Sequence, residues 1–162
     1  MAKRAIPLVD LSQFVDGDEQ QRKDFVAALG KAFHEIGFVG VINHGIPKKL
    51  IEDFYAASKA FFALPEAVKK KYEVPGLAGQ RGYTSFGKEH AKHSNVGDLK
   101  EFFQYFPWGR CPDALTQLSI KLFKQLNDLS AQCISAIEAE MPKSIKLTMP
   151  LSKMIKGSSR TL

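Results

Sequence analysis

Seven residues, Leu115, Leu118, Leu122, Leu126, Leu129, Cys133 and Ile137, recur at offsets of three and four. That spacing lines one face of an α-helix, and an apolar stripe of this length must be covered by something. Pro112 stands where such a helix opens. Two shorter segments share the period. Phe25, Ala28, Leu29, Ala32, Phe33 and Ile36 form one inner face, and Leu50, Ile51, Phe54, Tyr55, Ser58, Phe61 and Phe62 form another. Extended stretches alternate with these helices. Residues 6–11 suit an edge strand, because Pro7 has no N–H for a ladder. Phe38 to Ile42 reads as a buried strand, and Leu99 to Phe106 as a strand of mixed character. Helices and strands intermix without a regular βαβ beat, so the expected class is α+β.

Local punctuation sharpens these boundaries. Asp18 caps the first helix, with Gln21 in capping-box position. Gly37 stops that helix as a C′ residue, and Gly30 inside it costs about 1 kcal/mol relative to alanine. Asn43-His44-Gly45 is a turn, and Pro47 opens the second helix. Leu64-Pro65 breaks that helix, and Glu66 to Lys71 is a short polar one. Residues 74–88, with Pro75, Gly76, Gly79, Gly82 and Gly87, read as loop. Beyond Met141-Pro142 the helical period is lost, and the alternation of Ile145, Leu147, Met149 and Leu151 allows one strand.

Composition excludes several functions. The 162 residues are 44% hydrophobic and 25% charged, as in globular domains. No apolar run is long enough to span a bilayer, so no membrane partner is expected. The start, Met-Ala-Lys-Arg, leads into no apolar h-region, which leaves a cytoplasmic location as the expectation. The net charge of +6 is concentrated at one end. Residues 1–140 hold 18 basic and 17 acidic residues, whereas Lys143, Lys146, Lys153, Lys156 and Arg160 follow unopposed. A basic stripe on a folded face is therefore missing, and nucleic acid is not an expected partner. Cys111 and Cys133 fit no disulfide or metal framework and read as reduced thiols.

Motifs that carry chemistry are few. Gly82 to Glu89 nearly spells a phosphate-binding loop, but Glu89 stands where a Mg²⁺-ligating hydroxyl is needed, and no buried strand precedes it. The four histidines do not form an iron site of the two-histidine, one-carboxylate kind. His34, His44, His90 and His93 are each followed two residues later by Ile, Ile, Lys and Asn, never by a carboxylate. His34 is a helix-boundary residue, and His90 with His93 reads as a solvated loop pair. Ser85 lacks a nucleophile elbow, and neither cysteine has a catalytic signature.

Taken in order, the segments resemble the N-terminal region of isopenicillin-N-synthase-like oxygenases. The resemblance rests on Ile6-Pro7-Leu8-Val9-Asp10-Leu11-Ser12 and, most specifically, on Gly37-Phe38 through Asn43-His44-Gly45-Ile46-Pro47. Phe61-Phe62-Ala63-Leu64-Pro65-Glu66 with Lys69, then Gly82-Tyr83, then Asp98-Leu99-Lys100-Glu101-Phe102, continue it over residues 5–140. It implies the helix-rich N-terminal part of a double-stranded β-helix oxygenase with the β-core incomplete. It also implies a family chemistry in which Fe(II), dioxygen and usually 2-oxoglutarate oxidise small organic substrates. Asn43, His44, Gly45 and Pro47 are then structural, with His44 in a turn and not on iron. The resemblance puts Arg81 and Tyr83 at the substrate mouth.

The pattern ends at Glu140, and neither His-x-Asp nor Arg-x-Ser follows. The expectation is thus a 1–140 dioxygenase-like region with an atypical basic tail, 141–162, consistent with truncation or a frameshift. No catalytic or metal-binding residue, and no cofactor, is expected for this chain alone. Uncovered apolar helix faces would favour self-association. The rivals are a non-enzymatic interaction module and one half of a split oxygenase.

Overall fold

A computed structural model describes residues 5–77, 79–89, 97–105, 111–141, 144–145, 149–151 and 153. The elements run β1 (Leu8–Asp10), α1 (Leu11–Val15), α2 (Glu19–Glu35), β2 (Gly40–Ile42), α3 (Lys48–Phe62), α4 (Glu66–Lys69), a 3-10 turn at Lys70–Tyr72, β3 (Gly82–Thr84), β4 (Phe102–Gln104) and α5 (Asp113–Glu140). The α+β, helix-rich reading holds. No helix among the described residues is long and apolar enough to cross a membrane.

Two compact units emerge. One runs to Ile46 and resumes at Lys124; the other is Pro47–Phe123. In the first, β1 and β2 pair in parallel, Leu8 with Gly40, Val9 with Val41 and Asp10 with Ile42. Val9, Leu11, Phe25, Val26, Leu29 and Ala136 form the core, with Phe14, Val39, Val41, Leu129 and Ile137 packed on it. The capping box at Asp18 is complete: its carboxylate accepts from the Gln21 N–H at 2.8 Å, and Gln21 returns a bond to the Asp18 N–H at 2.9 Å. Gly37, at φ +80°, ends α2 by donating to the carbonyls of Ala32 and Phe33.

In the second unit β3 and β4 pair antiparallel, Tyr83 opposite Phe103. Phe61, Tyr83 and Leu115 form its core, joined by Phe54, Ala57, Phe62, Tyr72, Phe103 and Cys111.

Several expectations are corrected. The first strand is shorter than residues 6–11, because the Asp10 side chain caps α1 and turns Leu11 into a helix start. Phe38 to Ile42 is not uniformly buried. Val39 and Val41 pack on the core, while Phe38 is 69% and Ile42 43% exposed. This is the two-residue alternation of a strand covered on one face. On α2, Phe33 and Ala28 are exposed and Val26 is buried instead, so the true face is rotated from the expected one. Tyr55 on α3 is likewise exposed. Residues 74–88 are not all loop, since Gly82–Thr84 pairs with Phe102–Gln104; of the strand expected at Leu99 to Phe106, the described residues show Phe102–Gln104, and Phe106 lies outside them. The short helix at 66–71 is not wholly polar in setting, because Lys69 is buried. On α5 the stripe is unevenly covered: Leu115 is buried, Leu126 is exposed, and Ser119, Ala131 and Ala136 are buried beside it. Of the strand allowed at Ile145, Leu147, Met149 and Leu151, Leu147 lies outside the described residues, and Ile145, Met149 and Leu151 are not in a strand. Leu151 and Lys153 are helical, the Lys153 N–H donating to the Pro150 carbonyl at 3.0 Å.

Candidate functional site

The turn residues of the first unit form a closed set of hydrogen bonds. Asp10 sits where β1 ends, so its carboxylate reaches both forward and across the sheet. Its Oδ1 accepts from the Ser12 N–H at 3.0 Å and the Ser12 hydroxyl at 2.6 Å, and its Oδ2 from the Asn43 amide at 2.8 Å. The Ser12 and Asn43 bonds hold the Asp10 carboxyl below its ordinary range. Asn43 adopts φ +51°, a left-handed conformation that asparagine tolerates better than most residues. Its amide thereby ties the end of β2 to the end of β1. His44 follows, and its Nδ1 accepts from the Ile46 N–H at 3.1 Å. The ring is used to shape the turn that buries Ile46. In the second unit, Pro47 heads α3 through its carbonyl, which accepts from the Leu50 N–H at 2.9 Å.

That unit contains the more unusual chemistry. Lys69 is 5% exposed, and its Nζ donates to Glu101 Oε2 at 2.6 Å and to the Phe62 carbonyl at 3.0 Å. The Phe62 carbonyl belongs to the last turn of α3, where intrahelical donors run out, so Lys69 fills a vacancy every helix end leaves. The Tyr83 hydroxyl donates to the same Glu101 oxygen. Burial pushes the Glu101 carboxyl up, but the bonds from Lys69 and Tyr83 outweigh it and leave it below the ordinary range. Burial, and then the neighbouring Glu101, push the Tyr83 phenol well above its usual value. Around this pair Phe61 meets Phe62, Tyr72, Tyr83 and Phe103 edge-on, with centroids 5.3, 5.6, 6.0 and 5.4 Å away.

Tyr83 therefore faces the core of its unit. Arg81, two residues earlier, is half-buried, and its guanidinium donates to the Gln80 carbonyl at 2.7 Å. The Lys88 of the near-miss phosphate loop is engaged by Glu73 at 2.5 Å. His34 is exposed near the end of α2. His90 and His93 lie outside the described residues. Burial raises both thiols, Cys111 and Cys133, which disfavours thiolate chemistry. No group of three His, Cys, Asp or Glu residues suited to a metal ion occurs among the described residues.

Sequence reasoning missed the Lys69–Glu101 pair. Both residues lie in quoted motifs, but their partnership spans 32 positions and leaves no periodic trace.

Comparison with known proteins places these features. The family described as "non-haem dioxygenase in morphine synthesis N-terminal" matches residues 6–119. The 2-oxoglutarate-dependent dioxygenase imqE of Aspergillus flavus is 38% identical over 85 residues, covering 52% of this chain and 23% of its own length. Leucoanthocyanidin dioxygenase of Perilla frutescens is 38% identical over 116 residues, 71% of this chain and 31% of its own. A full-length Neurospora crassa crystal structure in complex with alpha-KG superposes with a TM-score of 0.67 at 26% identity. It covers 82% of this chain, which in turn covers 46% of that one. The chain thus spans less than half the length of each of these relatives.

Proposed function

The chain belongs to the family of non-haem dioxygenase N-terminal regions, and from that premise we propose that it is the N-terminal portion of an Fe(II)- and 2-oxoglutarate-dependent oxygenase of small organic substrates. The family match across residues 6–119 is the observation that carries this reading. The turn at Asn43-His44-Gly45, locked to Asp10, and the Lys69–Glu101–Tyr83 network then serve as scaffold. Arg81 lies at the substrate mouth, and Tyr83 fixes the strand beside it from the buried side.

The same reading holds that these 162 residues are inactive by themselves. The donors among the described residues do not fit a ferrous centre. His44 Nδ1 already accepts from Ile46, Asp10 is taken up by Ser12 and Asn43, and Glu101 by Lys69 and Tyr83. A facial triad needs two imidazoles and a carboxylate with open positions beside them, and the described residues offer no such set. No step of an oxidation is assigned to them.

Anaerobic Fe(II) titration of the purified chain with 2-oxoglutarate present tests this. The expected result is no saturable one-to-one loading and no oxoglutarate consumption on admitting oxygen. Tight stoichiometric iron with turnover would overturn the inactivity. The reading also expects self-association through exposed apolar side chains, Phe38 at 69% and Leu99 at 94% among them. A single monomeric boundary at every concentration in sedimentation velocity would count against that part.

A further inference from the structure

We draw no further inference here: the strongest candidate, the uncovered apolar side of the parallel β1–β2 pair, where Leu8 and Ile42 stay exposed, carries nothing, because nothing in the structure shows what covers it.

Discussion

The two units solve the same problem with opposite placements of polarity. In the first, the core is apolar throughout, from Val9 and Leu11 to Phe25, Leu29 and Ala136. Its specific polar bonds, at Asp10, Ser12, Asn43 and Asp18, lie in turns and caps outside that core. In the second, an ammonium, a carboxylate and a phenol are set among aromatic rings, with the Lys69 and Glu101 side chains only 7% and 14% exposed. Peripheral caps direct the chain while their groups stay near water, so losing one costs little. A buried pair tolerates no partial loss, because each ion is stable there only while the other is present. The difference predicts where each unit is fragile.

Removing the cation gives the largest expected effect. Lys69→Met leaves Glu101 buried without its ion-pair partner and strips the Phe62 carbonyl of its donor, so urea denaturation at neutral pH is expected to show a loss of about 3–5 kcal/mol. The deficit has a signed pH dependence. In the wild type the Glu101 carboxyl is depressed by folding. Its contribution is therefore complete above the unfolded carboxylate value and is lost as pH falls through the folded one. In the variant only burial and Tyr83 act, and burial pushes the carboxyl up. The gap between the two proteins should narrow as the solution is acidified below the ordinary glutamate range, roughly pH 4. A gap independent of pH would mean that lost packing, and not the charge, explains the defect. At the alkaline end the raised Tyr83 phenol works in the other direction. Its stabilising contribution is intact below the unfolded tyrosine value and is lost as pH climbs through the higher folded one.

Two glycines sharpen the same contrast at the level of the backbone. Gly82 and Gly45 have nearly equal positive φ, +71° and +74°. A Cβ on Gly82 would meet the Tyr72 carbonyl oxygen at 2.3 Å, whereas one on Gly45 meets nothing within 4 Å. Gly45→Ala should therefore cost only the left-handed conformational penalty, about 1 kcal/mol. Gly82→Ala adds a clash with rigid backbone in the strand that carries Tyr83, for a total of about 3 kcal/mol. Equal losses in thermal unfolding would show that β3 can shift, and that the buried network does not hold it tightly.

These particulars also mark what could be read from residue order. The helices announced themselves through period and caps, since Asp18, Gln21 and Gly37 act within one or two turns of their own position. The phase of α2 did not, because Val26, Ala28 and Phe33 are all apolar and periodicity cannot choose among neighbours. Which one is buried depends on β1, which lies far away in sequence and packs Val9 and Leu11 into the same core. Gly82–Thr84 was hidden for the same kind of reason: its strand character comes from pairing with Phe102–Gln104, while locally it is only a glycine-rich stretch. The turn at Asn43-His44-Gly45 was legible as a turn, but its bond to Asp10 was not. Local chemistry was visible, and every feature that joins distant segments had to be seen in three dimensions.

The smallest predicted effect lies at the most legible feature. Asp18 and Gln21 exchange hydrogen bonds at an exposed helix start, each satisfying one N–H that would otherwise face water. Asp18→Ala should lower stability by about 1 kcal/mol, several-fold less than Lys69→Met. Gln21→Ala alone should cost less, because the Asp18 N–H it serves can turn to solvent. In the double variant the two losses should fall short of their sum, since removing either partner already dissolves the reciprocal pair. An Asp18→Ala loss as large as that of Lys69→Met would erase the distinction between peripheral and interior polarity on which the comparison of the two units rests.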